Sequence, residues 1–462
     1  MRTGQKLKLV NPSTSEIFRE LPYQSWEEVK ARLKLAGQVQ KKWKNSSIDS
    51  RISLVQNAME YFKENENLIA EDITLQMGKP IQQSKNEVRS MIHRAEICCG
   101  LTEDALKDIS LPDKYGLKRY IKREPMGLVL NIAAWNYPLL IAINVIVPAV
   151  LAGNAVAIKH SSLTPLCAIA FEEAFKHGGA FEGLVSSLII DHITTEKTIK
   201  SGLIHHVAFT GSVKGGRRVQ TSASSQFMDV NLELGGKDPT YIREDANLYS
   251  AVPEVMDGVF YNAGQSCCAV ERIYVHHSLF DEFVKQATQF MNNLKIGDPM
   301  NASINMGPLA QKSGIKTVEN QLKNATDKGA KILIHPGSVP DGENYLLPAI
   351  LTNVNHDMEI MMEETFGPVV GIMDVQSDEE AIILMNDSPY GLTASVWTND
   401  VEKAIKIGSQ IETGTFFMNR CDYLDPSLPW VGIKDSGKGC TLSALGIQHL
   451  TRPKGYNLKL TH

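Results

Sequence analysis

The apolar positions Val29, Leu33, Ala36 and Val39 recur at helical spacing, and Ser25 with Glu28 just before them forms a capping-box pattern. Ser84 with Glu87 repeats that pattern ahead of another helical stretch, and Gly78-Lys79-Pro80 breaks the chain between the two. Residues 1 to about 105 therefore predict helices after a short start. From about 118 to 235 the periodicity changes to short apolar runs, Leu128–Ala133, Ala155–Lys159, Ser187–Ile190, Val207–Thr210 and Val230–Leu234, which read as buried strands. Helical segments such as Thr164–His177 and Val213–Ala223 lie between them. Strands alternating with helices predict right-handed crossovers and a parallel, doubly wound sheet, with ligands at the carboxyl ends of its strands.

Residues 236 to about 440 alternate again, with helices at Leu279–Leu294 and Gly314–Gly329 and strands at Lys331–Ile334 and Val369–Met373. They predict a second α/β lobe. No internal repeat or low-complexity linker separates the lobes, so they are expected to pack closely around a cleft. Gly127–Ile158 carries no charged side chain and is long enough to cross a bilayer. It also contains Asn131, Asn136, Asn144 and Asn154, with Pro138 and Pro148, which are costly in lipid. A buried strand, a loop and a buried helix explain it better, and no membrane partner is expected.

Length and composition narrow the class further. A chain of 462 residues with 43% hydrophobic and 21% charged residues can build a large core without metal or disulfide staples. The charge balance, 47 basic against 52 acidic residues, argues against a nucleic-acid partner. The seven cysteines show no CxxC spacing, so neither a zinc nor a redox motif is expected. Free thiols and the absence of an apolar leader at the N-terminus point to a reducing compartment, the cytoplasm.

Several residues are chemically suggestive. Cys267 lies in Tyr261-Asn262-Ala263-Gly264-Gln265-Ser266-Cys267-Cys268, where small and polar neighbours and a turn-permitting glycine suit a partly exposed thiolate. Taken alone, this segment reads better as a buried, inert cysteine. Glu233 sits in an apolar strand ending in Gly235-Gly236-Lys237. Burial would raise its pKa and suit it to act as a general base, and an ion pair with Lys237 is an equal alternative. Phe209-Thr210-Gly211-Ser212, with Gly216 in the next helix, is a strand–turn–helix that can offer N–H groups to a phosphate, or an ordinary turn. Lys159 ends its strand and either holds a ribose or phosphate or is surface; His160 beside it reads as surface. A cysteine hydrolase needs a base histidine beside its thiol, and none has that context here. A Cys–Glu pair suits thiolate addition to a carbonyl followed by attack of activated water.

At this point the chain resembles the NAD(P)-dependent aldehyde dehydrogenase superfamily over nearly its whole length. The resemblance rests on ordered segments: Glu124-Pro125-Met126-Gly127, Trp135-Asn136-Tyr137-Pro138, Ala152-Gly153-Asn154, Lys159, Phe209-Thr210-Gly211-Ser212, Leu232-Glu233-Leu234-Gly235-Gly236-Lys237, Gly264-Gln265-Ser266-Cys267, Glu363-Glu364-Thr365-Phe366-Gly367-Pro368 and Ser436-Gly437. It implies that Cys267 is the nucleophile, that the Asn136 amide and the Cys267 N–H stabilise the oxyanion, and that Glu233 activates the water that hydrolyses a thioester. It further implies NAD or NADP as cofactor, with Trp135, Lys159, Ser162, Gly211, Ser212, Gly216, Glu364 and Phe366 along it. Cys268 would point away. The implied fold is α/β and aldehyde-dehydrogenase-like: a cofactor domain (1–108 and 124–234), a catalytic domain (235–439), both doubly wound, and a small β oligomerisation arm (109–123 and 440–462). Strands Gly116–Ile121 and Tyr456–Leu460 in that arm are expected to pair with another chain, giving a homodimer or a dimer of dimers.

Departures from the family pattern refine this. NAD-preferring members often carry a Glu where this chain has Ser162, so some NADP preference is expected. Dehydrogenases for succinate semialdehyde often carry an Arg where this chain has Asn144, which weakens that reading. Arg420 in the substrate loop keeps an acidic substrate open. Gly439-Cys440-Thr441 replaces the family's usual Gly-Arg-Glu. The expected reaction is oxidation of a small aldehyde to its acid. Acyl transfer would not need Glu233, and a non-catalytic cofactor-binding structural protein would be expected to lose Cys267 or Asn136.

Overall fold

The computed structural model describes residues 5–342 and 344–460. Its first large sheet has six strands in the order Gly437–Lys438, Asp229–Glu233, His206–Thr210, Leu128–Ala133, Ala155–His160 and Val185–Ser187. All pairs are parallel except the short edge strand Gly437–Lys438. The chain runs outward from Leu128–Ala133 to Val185–Ser187. It then returns to pair His206–Thr210 on the other side of the first strand. That reversal makes a switch point, the place where open sheets of this kind form a ligand crevice at the strands' carboxyl ends.

The second sheet has seven strands: Lys331–Ile334, Ala349–Thr352, Val369–Val375, Val270–His276, Asp238–Ile242, Thr393–Trp397 and Thr415–Met418. Only Lys331–Ile334 runs antiparallel to its neighbour. Alternation places Tyr241 and Tyr274 in the core on one face, and Ile242, Ile273 and Val275 in the core on the other. A larger core joins the first sheet to the N-terminal helices. The carboxyl end of Asp229–Glu233 leads through Leu234–Lys237 into the amino end of Asp238–Ile242. The two sheets are thus linked end to end at one junction.

The sequence pattern gave many of these elements closely. Helix Trp26–Trp43 begins at a complete capping box of Ser25 and Glu28, and the helix before Gly78 ends at Met77. Ser84 and Glu87 are a correction. The helix starts earlier, at Ile81 behind Pro80, and runs to Leu106. Ser84 instead bonds Thr74 at 2.9 Å, and Glu87 pairs with buried Lys79 and accepts from the Leu139 N–H at 2.8 Å. The strand expected at Ser187–Ile190 is Val185–Ser187. Beyond it the chain stays buried, but Gln24 takes both backbone groups of Ile189.

The charge-free stretch resolves into the strand Leu128–Ala133, the helix Pro138–Leu151 and the strand Ala155–His160. Its amides are used internally: Asn131 donates to Ala142 O at 3.1 Å, and Asn154 accepts from Gly127 N at 2.8 Å and donates to Leu450 O at 3.0 Å. Among the described residues no helix is long and apolar enough to cross a membrane. All seven cysteines are free. A third, antiparallel sheet orders Thr451–Lys459, Leu117–Pro125 and Ile109–Ser110. The long strands pair with each other within the chain, and the outer edge of Thr451–Lys459 carries no strand among the described residues.

Candidate active site

Four adjacent strands of the first sheet end on the residues singled out from the sequence. Trp135 follows Leu128–Ala133, Lys159 and Ser162 close Ala155–His160, Gly211 and Ser212 follow His206–Thr210, and Glu233 ends Asp229–Glu233. Lys159 is buried, which lowers its ammonium pKa to about 8, with Asp191 as the opposing charge. It forms no ion pair among the described residues. His160 corrects the surface reading: it is buried, bonding Pro138 O and Thr164 Oγ1 at 2.9 Å each. Ser162 lies exposed in the following turn. Ser212 caps the helix Val213–Ala223 by accepting from Gly215 N at 3.2 Å. Gly216 packs so closely on Leu234 that a Cβ would lie 2.7 Å from its methyl.

The junction brings the second sheet's loops to this crevice. Glu364 accepts from Gly236 N at 3.2 Å, and burial together with the Glu271 charge raises its pKa to about 8. Gly235 lies so close to the Glu364 carboxylate that a side chain there would displace it. Phe366 meets Trp135 edge to face at 5.6 Å between centroids. Buried Lys237 pairs with Glu271 at 2.7 Å, so it is not the partner of Glu233. Glu271 also accepts from the N–H groups of Thr365 and Phe366 at 2.8 and 3.0 Å, pinning the loop that carries Glu364.

Glu233 and Cys267 line one cavity of about 560 Å³, a size suited to a small ligand. The Glu233 carboxylate accepts from Thr210 at 3.0 Å and from Thr441. Burial raises its pKa, opposed by those hydroxyls and by the charge of Arg94. Cys267 precedes the strand Val270–His276, in a loop shaped by two left-handed residues, Asn262 and Ala263, at φ 53° and 55°. Such conformations persist where the surroundings impose them. Asn262 does so by donating to Gln265 O at 3.2 Å and to the main-chain oxygen of Asn136 at 3.1 Å. Asn136 is therefore buried and tied to the cysteine loop, although its side chain is not part of the cavity wall.

Two sequence readings change. Cys268 lines the same cavity instead of pointing away, and its Sγ donates to Asp422 at 2.9 Å. The adjacent Cys267 sulfur, burial and the Asp422 charge hold its thiol well above the ordinary range. Arg420 is exposed, stacked 3.2 Å from the Tyr423 ring, and is absent from the cavity wall. Asn144 does line the cavity, where it accepts from Arg94 Nη1 at 2.9 Å. Sequence reasoning missed Arg94, Thr210, Thr441 and Asp422. Asp422 accepts from Ser266 at 3.0 Å as well, and burial lifts its pKa to about 7. Thr210 left a trace in the Phe209-Thr210-Gly211-Ser212 turn, and Thr441 left one in the departure at Gly439-Cys440-Thr441.

The residues fit a dinucleotide on one side of the junction and a small carbonyl compound on the other. Known proteins agree with that geometry. The chain is 31% identical over 459 residues to a succinate-semialdehyde dehydrogenase [NADP(+)] of Deinococcus radiodurans, covering 98% of this chain and 95% of that one. It is 32% identical over 450 residues to an aldehyde dehydrogenase of Paenarthrobacter nicotinovorans, covering 96% and 98%. The structure of succinic semialdehyde dehydrogenase from Streptococcus pyogenes in complex with NADP+ superposes with TM-score 0.94 at 28% identity, covering 98% of this chain and 99% of that one. The model of the aldehyde dehydrogenase family matches residues 1–455, and the chain belongs to that family.

Proposed function

We propose that this enzyme oxidises a small aldehyde to its carboxylic acid through a thiohemiacetal and a thioester on Cys267. The observation that carries the reading is that Cys267 and a buried carboxyl, Glu233, line one cavity at the carboxyl end of a doubly wound sheet. The Cys267 thiolate adds to the carbonyl carbon, and the carbonyl oxygen becomes an oxyanion. The Cys267 N–H and the amide of Asn136, buried just behind the cavity wall and tied to the cysteine loop through its main-chain oxygen, are the donors assigned to it. When bound, the nicotinamide supplies the hydride acceptor. Glu233 then takes a proton from water, which attacks the thioester and releases the acid. Thr210 and Thr441 orient the carboxylate for that step. The presence of Glu233 at the thiol favours hydrolysis over acyl transfer.

The cofactor is held by the crevice residues. Lys159, buried and without an ion-pair partner among the described residues, suits the ribose. Ser212 and Gly211 offer a helix start, Glu364 suits the nicotinamide ribose, and Trp135 and Phe366 pack beside it. Exposed Ser162 adds no negative charge against a 2′-phosphate. This supports use of both cofactors with a preference for NADP, as do the NADP-linked relatives. The same reading gives 1–108 and 124–234 to cofactor binding, 235–439 to catalysis, and 109–123 with 440–462 to assembly of a homo-oligomer. Absorbance of NAD(P)H with a panel of aldehydes tests the reading. Wild type should give signal, with higher kcat/KM for NADP, and Cys267→Ala should give none. Undiminished turnover by Cys267→Ala would overturn it.

A further inference from the structure

The cavity that holds Cys267 and Glu233 is also lined by two arginines of the helix Ile81–Leu106. Arg89 is already paired, to Glu66 at 2.7 Å. Arg94 has no ion-pair partner among the described residues. Its hydrogen bonds both leave from Nη1, to Leu140 O at 3.2 Å and to Asn144 Oδ1 at 2.9 Å. Those two bonds fix the guanidinium plane from one corner. Nε and Nη2 make no hydrogen bond among the described residues, so the edge that a carboxylate engages with both oxygens is open.

Its setting explains why such an edge matters. Leu140, Ile141, Leu424 and Pro426 contribute apolar wall to the same cavity. Burial lowers the guanidinium pKa to about 10, against the charges of Glu233 and Glu87. Glu87, another carboxylate of the wall, is committed to Lys79 and to the N–H groups of Leu139 and Leu140. Asp257 and Asp422 also border the cavity and would oppose a doubly charged phosphate more than a single carboxylate. Asn144, which stands where dehydrogenases for succinate semialdehyde often carry an arginine, accepts instead from an arginine of the neighbouring helix.

We propose that Arg94, oriented by Asn144, anchors the carboxylate of a short aldehyde acid whose carbonyl meets Cys267. This rests on the reading of Cys267 as nucleophile. A competing role for Arg94 is electrostatic: its charge favours the ionised form of Glu233, which would help every substrate alike.

Steady-state kinetics with succinate semialdehyde and its uncharged methyl ester separate the two. Wild type should favour the acid. Arg94→Met should lower the acid-to-ester ratio of kcat/KM by roughly a hundredfold, chiefly through KM for the acid. Arg94→Lys, which keeps the charge but not the fork, should lower the ratio by about tenfold. It stands in for Arg94→Met if that variant does not fold. A ratio near one in wild type, or an unchanged ratio with kcat lowered on both substrates, overturns the anchor. Wild type turning over neither compound, nor any aldehyde of the wider panel, overturns the Cys267 reading and the anchor with it. Turnover of the ester alone overturns only the anchor.

Discussion

Glu233 shows what burial does to a single group. It ends a strand inside the protein, with two hydroxyls and, among the described residues, no bonded cation. Its pKa is raised because the charged form loses water. The ionised form is the base, so kcat should rise with pH through that raised pKa and fall away on the acid side. Glu233→Gln should lower steady-state kcat by ~10²–10⁴-fold and remove the acid limb of the kcat–pH profile. An unchanged limb would assign it to another group. Cys267 and Glu233 were legible in the sequence only through the ordered motifs around them. Taken alone, the cysteine segment fitted an inert thiol better, and the glutamate segment fitted an ion pair equally well. Arg94 was not legible at all. An arginine on a helix has no spacing signature, and its importance comes from neighbours distant in sequence, Asn144 and Leu140 on another helix.

At the scale of elements, the periodicity of two and of 3.6 located strands and helices well, because burial imposes it directly. It failed where another partner took over the hydrogen bonding. The Ser84–Glu87 pattern has the chemistry of a cap, but Thr74, Lys79 and the start of the helix Pro138–Leu151 claim those side chains. The loop Glu363–Pro368 is held by a device no periodicity reveals, the buried Lys237–Glu271 pair and the two N–H groups bonded to Glu271. Removing one partner strands the other charge in the core. Glu271→Ala should cost about 3–5 kcal/mol in urea unfolding. A loss under about 1 kcal/mol would show that the pair contributes little and that the loop is held by other contacts.

In the whole molecule, one sheet's carboxyl ends are joined to the other's amino ends through Leu234–Lys237. The first sheet presents Lys159, Ser212 and Glu233, and the second presents Cys267 and Glu364, so neither builds the site alone. The sequence showed two alternating lobes and the ordered motifs. It could not show which faces of the lobes meet, since that depends on packing between residues more than a hundred positions apart, such as Gly236 and Glu364. The proposed reaction passes through a covalent intermediate on one sulfur, released by one carboxylate. Intact and peptide mass spectrometry of Glu233→Gln incubated with aldehyde and NADP tests it most directly. One acyl group on Cys267 is the predicted result; no adduct, or an adduct on Cys268 or another residue, would contradict it.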